Sequence, residues 1–211
     1  MKKLIAILLL VCLLPLCALA EMDEDGNVTI ALGDAEVFFT PVEGSHVLTR
    51  ESSASVFNKL GLRQFDMQQF MEANDVYAIM FFADVKNGTA EIQVCAYETT
   101  QMDFDELSVY GLEMNCEVME SLYLDAGYDV ESVELCHTLN GHSYVRIAAS
   151  YTDGNGAVEH RQEFYTCQSG YAVCVLLFPY DGAPTEGQIY QFEGLVDSLW
   201  VSGNMSADAD E

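Results

Sequence analysis

The chain reads as an α+β protein built on a single antiparallel β-sheet packed between helices. Three observations lead there. β-prone runs recur between tight glycine-containing turns. A long amphipathic stretch lies between Asp103 and Gly127, and a second runs from Thr185 to Leu199. Strands that alternate with hairpin turns pair antiparallel, and two apolar-striped helices need a sheet face to cover.

Taken in order, Asn27 to Ala31, Glu36 to Thr40 and His46 to Arg50 form an opening β-meander, split by Gly33-Asp34 and by Pro41 to Gly44. Ser53 to Leu60, closed by Gly61, and Asp66 to Ala73, opened by Asp66-x-x-Gln69, read as two short helices. Val76 to Ala83 and Ala90 to Tyr97 flank Asn87-Gly88, a strong hairpin signal. Asp103-x-x-Glu106 then reads as the cap of the longest helix, with an apolar stripe of Leu107, Tyr110, Met114, Val118 and Leu122. On another face Glu106, Glu113, Glu117 and Glu120 fall together, so packing rather than charge must hold this helix.

Turns at Asn140-Gly141, Asp153 to Gly156 and Gln168 to Gly170 link Val130 to Leu139, Ser143 to Tyr151, Val158 to Cys167 and Tyr171 to Phe178 into an antiparallel meander. The last run is apolar on both faces and belongs at the sheet centre. Thr185-x-x-Gln188 opens a final helix striped by Ile189, Phe192, Leu195 and Leu199, with Trp200 anchoring its end.

The amino terminus carries an address. Lys2 and Lys3 precede an apolar run from Leu4 to Leu16, and Ala18-Leu19-Ala20 offers the small residues a signal peptidase accepts before Glu21. A run of about thirteen residues is short for a permanent span, so cleavage between Ala20 and Glu21 and a secreted or extracytoplasmic protein are expected. Leu16 stands where a lipoprotein signal has a small residue, which argues against lipidation of Cys17. The expected organisation is a cleaved signal peptide (1–20), an acidic segment with a short strand (21–35), one α+β domain (36–201) and an acidic disordered tail (202–211).

The formal charge is −26, with 34 acidic and 8 basic residues. Between Asn87 and Val145 there are twelve acids and no Lys or Arg. Scattered cations give no phosphate-binding surface, so nucleic acid and anionic lipid are excluded as partners. A cationic partner or calcium suits the surface, and a second apolar segment long enough to span a membrane is absent.

The succession Val47-Leu48-Thr49-Arg50, Leu60-Gly61-Leu62 and Phe70 to Tyr77, with a final helix reading Phe192-x-x-Leu195-Val196-x-Ser198-Leu199, resembles a group of uncharacterised exported bacterial proteins. The order of elements is similar to the PsbP fold of photosystem accessory proteins. The resemblance spans about Glu36 to Val201. It implies a layered α/β/α domain used for assembly and binding, without an activity to transfer. Many look-alikes carry a membrane segment after the domain; its lack before Glu211 fits a released protein.

Candidate chemistry is sparse. His137 and His142 flank Asn140-Gly141; with Leu139 opposite His142 they share a face, but a zinc site would still lack its third ligand. Five cysteines follow the leader: Cys95, Cys116, Cys136, Cys167 and Cys174. Their pairing is open, and Cys167, beside Gln168-Ser169-Gly170, reads as the most reachable thiol. No Gly-x-Ser-x-Gly, Ser-x-x-Lys or His-Glu-x-x-His pattern occurs. The expectation is a monomeric, cofactor-free binding or accessory module for another protein or envelope component. The alternatives are a small hydrolase or thiol-redox enzyme using Cys167 or the histidine hairpin, and a calcium-responsive surface protein using Glu106, Glu113, Glu117 and Glu120.

Overall fold

The computed structural model describes residues 20–84 and 88–203. The expected leader up to Leu19, the turn residue Asn87 and the tail from Asn204 lie outside them. Among the described residues are eleven strands, four α-helices and one 3-10 turn. β1 (Ala20–Met22), β2 (Val28–Leu32) and β3 (Ala35–Phe39) are followed by β4 (His46–Thr49), α1 (Ala54–Lys59), α2 (Gln64–Ala73), β5 (Val76–Asp84) and β6 (Gly88–Glu98). Then come the 3-10 turn (Phe104–Glu106), α3 (Val109–Asp125), β7 (Asp129–His137), β8 (Ser143–Thr152), β9 (Val158–Gln168), β10 (Tyr171–Pro179), α4 (Glu186–Ser198) and β11 (Trp200–Gly203).

The strands form two sheets, which overturns the expectation of a single one. A seven-stranded antiparallel sheet runs β4-β5-β6-β10-β9-β8-β7, and a four-stranded sheet runs β1-β2-β3-β11. The opening meander divides at Pro41 to Ser45. There β3 stops, and the chain crosses to pair β4 with β5 at the edge of the larger sheet. β2 and β3 instead pair with each other, and the chain returns after α4 to add β11 beside β3. Trp200, expected to anchor the end of the final helix, starts that strand and is half exposed.

Alternation decides which faces meet. Val28, Ile30, Leu32, Ala35, Val37 and Phe39 are all buried and join Met80, Ile92, Val94, Val173 and Val175 in the main core. Phe192, Leu195, Val196 and Leu199 of α4 extend that core. The layer over one face of the large sheet is therefore the small sheet plus α4. On the opposite face, Phe57 and Met71 of α1 and α2 cover β5, while α3 covers β7 and β8. β10, apolar on both faces, occupies the middle position.

Helix starts separate true caps from look-alikes. Thr185 accepts from Gln188 N (3.2 Å) and Gln188 Oε1 accepts from Thr185 N (3.0 Å), the reciprocal pair that its spacing announces. Asp66 does not cap: α2 starts two residues earlier, and Asp66 pairs with Arg63. Asp103 opens only the 3-10 turn, and Ser108 caps α3 by accepting from Gly111 N at 3.2 Å. Gly127, at φ +86°, ends that helix in the left-handed conformation glycine tolerates. The acidic stretch after β1 is a hairpin turn in which the Asp23 carboxylate accepts from Asn27 N (2.8 Å) and Asn27 Nδ2 (2.9 Å).

Candidate functional site

Helix α3 is apolar on two faces. Leu112, Cys116, Met119 and Tyr123 turn inward onto the sheet. Tyr110, Met114, Val118 and Leu122, the stripe expected to be buried, face solvent at 46 to 70% exposure. At about 100° per residue, a strict four-residue spacing winds ~120° around the helix from Tyr110 to Leu122, whereas the 4-3-4 spacing of the inner row stays within ~60°. Only the inner row can lie flat on a sheet. Glu113, Glu117 and Glu120 are exposed between the two rows and edge the outer stripe with carboxylates. Glu106 does not join them, because it ends the 3-10 turn before the helix begins.

Beneath α3 is a polar network that sequence reasoning missed. Glu163 and Tyr123 are buried, and the Tyr123 hydroxyl donates to Glu163 Oε2. Arg161 donates to the Tyr123 hydroxyl from Nε (3.0 Å) and a terminal nitrogen (2.5 Å), to the Tyr128 hydroxyl (3.0 Å) and to Glu163 Oε2 (3.3 Å). Its guanidinium lies 4.7 Å from the centroids of both tyrosine rings. Burial, then the Glu163 carboxylate, push the Tyr123 phenol above its ordinary pKa. The available signal was Arg161 and Glu163 at i, i+2 on one face of β9, followed on that face by Tyr165 and Cys167.

The histidine hairpin does not close as expected. His137 pairs with Ser143 and Thr138 N donates to His142 O (3.0 Å), so the loop is longer than Asn140-Gly141 alone. His142 Nδ1 lies 2.7 Å from Asp105 Oδ2, while His137 Nδ1 lies 3.3 Å from Ser143 Oγ. Serine and carboxylate thus sit on different imidazoles, and no nucleophile, base and orienting acid are aligned. His160 pairs with Ser150 and its Nδ1 lies 3.5 Å from Glu131, away from both. Among the described residues no three His, Cys, Asp or Glu converge on a metal position.

Cys167 is fully buried rather than reachable. Its Sγ lies 3.0 Å from Gln101 Oε1 and 3.2 Å from the Tyr165 hydroxyl, and burial raises its pKa. The turn falls wholly on Ser169 and Gly170, both at positive φ, which leaves Cys167 inside β9.

Two grooves share Leu139, Glu193 and Asp197. One of about 680 Å³ lies between Thr40 to Glu43 and α4, and one of about 230 Å³ is lined by Cys136, His137 and Arg146. Three of their charged groups, Arg146, Glu193 and Asp197, are already engaged. Arg146 meets Glu193 at 2.9 Å, and Asp197 Oδ1 accepts from Leu139 N at 2.9 Å. The exposed face of α3 has no such internal use.

No family model matches the chain, and no curated protein sequence does. Among solved structures it is similar to the solution structure of cyanobacterial PsbP (CyanoP) from Synechocystis sp. PCC 6803. That likeness has 12% identity, covers 90% of this chain and 95% of that one, and has a TM-score of 0.40. At that level it concerns the coarse fold and carries no ligand, partner or activity. None of the described helices is long and apolar enough to cross a membrane.

Proposed function

We propose that this protein is an exported, non-enzymatic binding module that, as a monomer, docks a basic amphipathic helix of another protein or envelope component on the outward face of α3. The observation that carries the reading is the solvent-facing stripe Tyr110, Met114, Val118 and Leu122 with Glu113, Glu117 and Glu120 along its edge. Adjacent large apolar side chains held in water mark an interaction surface, and i, i+4 rows are the ridges a second helix packs against. The bordering carboxylates select a cationic partner. A chain charge of −26 opposes a second copy. The reading calls for no cofactor.

A photo-crosslinking residue at position 118, with one at exposed position 59 as control, tests it on culture supernatant and envelope fractions. Adducts are expected from position 118 alone, to map to an apolar segment rich in Lys and Arg, and to fade as salt shortens the Debye length below about 8 Å. Equal labelling from both positions, or capture from position 118 that persists when M114E/L122E is added, ends the reading.

A further inference from the structure

The large sheet is assembled from two separate pieces of chain. β4 to β6 form one piece, β7 to β10 form a meander, and the two meet only where β6 pairs with β10. At that seam Cys174 lies directly opposite Cys95. Opposed residues of an antiparallel pair have Cα atoms about 4.5 to 5.5 Å apart and side chains on one face. That falls inside the span of about 4.4 to 6.8 Å which a disulfide bridges. The remaining thiols are placed otherwise. Cys167 opposes Ala172, so it reaches Cys174 only along a diagonal of about 7 to 8 Å. Cys136 opposes Tyr144, and Cys116 is on α3.

We propose that Cys95 and Cys174 form a cross-strand disulfide that staples the two pieces of the large sheet. The oxidant is a disulfide, either a small molecule or a thiol oxidoreductase. One cysteine thiolate attacks it and releases one thiolate; the second cysteine then attacks the mixed disulfide and releases the other. The pair loses two electrons and two protons, and the oxidant leaves as two thiols. Burial, then the Glu163 and Asp75 carboxylates, push Cys95 up to about 12, and burial raises Cys174 well above its ordinary value. Folded thiols therefore ionise rarely. The bridge forms while the strands are still coming together, and once closed it is shielded from reductant.

Peptide mapping of the full chain, refolded from the reduced state in reduced and oxidised glutathione and then alkylated without reduction, decides the matter. The expected product is a Cys95–Cys174 linked peptide, with Cys116, Cys136 and Cys167 alkylated. Recovery of Cys95 and Cys174 both alkylated, or linkage of either to another cysteine, overturns the proposal. Closing a loop of about 80 residues should make reductant lower the Tm of the bridged protein by about 10 °C. C95A should show no reductant dependence, and a persisting drop in that variant also overturns it. If C95A does not fold, mapping of the unaltered chain still decides. The α3 surface plays no part in this chemistry, so the two proposals fail separately.

Discussion

Replacing Arg161 by Met tests the reasoning about the network under α3. Met keeps much of the apolar stem and removes the guanidinium. Arg161 makes its contacts to Tyr123, Tyr128 and Glu163 at 2.5 to 3.3 Å, so the variant leaves a buried carboxylate without its cation and takes a donor from two tyrosine hydroxyls. Removing one partner of a buried ion pair costs about 3 to 5 kcal/mol. Because the Tyr123 hydroxyl still donates to Glu163, the lower end applies: about 3 kcal/mol, or about 6 to 12 °C in Tm for a chain of this size. The companion E163Q removes the stranded charge, so R161M/E163Q should recover most of the loss. Urea unfolding followed by circular dichroism, with m-values compared across the set, measures both. A cost below about 1 kcal/mol for R161M, or a double variant as unstable as the sum of the singles, would refute the claim that Arg161 acts chiefly by neutralising Glu163.

Asp105 gives a pH prediction. Burial pushes its carboxyl up, but hydrogen bonds from His142 and Ser143 outweigh this and hold its pKa below the ordinary value. A depressed folded pKa contributes stability above the unfolded value near 3.8, which is lost as pH falls through the folded value. D105N should therefore cost at most about 1 kcal/mol at neutral pH, since the group is partly exposed, and the gap from wild type should close in acid titrations below about pH 4. A gap that widens in acid contradicts the assignment. At α4, T185A removes a capping-box acceptor and should cost about 1 kcal/mol in thermal unfolding. No change would mean that tertiary packing alone holds that helix start.

Much of the architecture was legible because local chemistry and burial agree. Thr185 and Gln188 at capping-box spacing and the doubly apolar run of β10 each force one outcome. Where two patterns competed, the sequence was silent. α3 carries two apolar rows, and only their drift around the helix axis separates the packed one from the wet one. The two-sheet arrangement depends on β3 pairing with β11, more than a hundred and fifty residues apart, which no short window reveals. The buried position of Cys167 and the split hydrogen bonding of His137 and His142 follow from loop lengths off by one or two residues. That is enough in a strand to change a side chain's neighbours.

The pairing of Trp200–Gly203 with Ala35–Phe39 fixes the order in which the body can be finished. During synthesis Val28–Leu32 and Ala35–Phe39 emerge well before the strand that flanks them, so their sheet lacks one flank until Trp200–Gly203 has left the ribosome. Folding is thus sealed from the carboxyl end. A nascent chain halted before Trp200 keeps an open edge along Ala35–Phe39, the state in which protease or chaperone would find it.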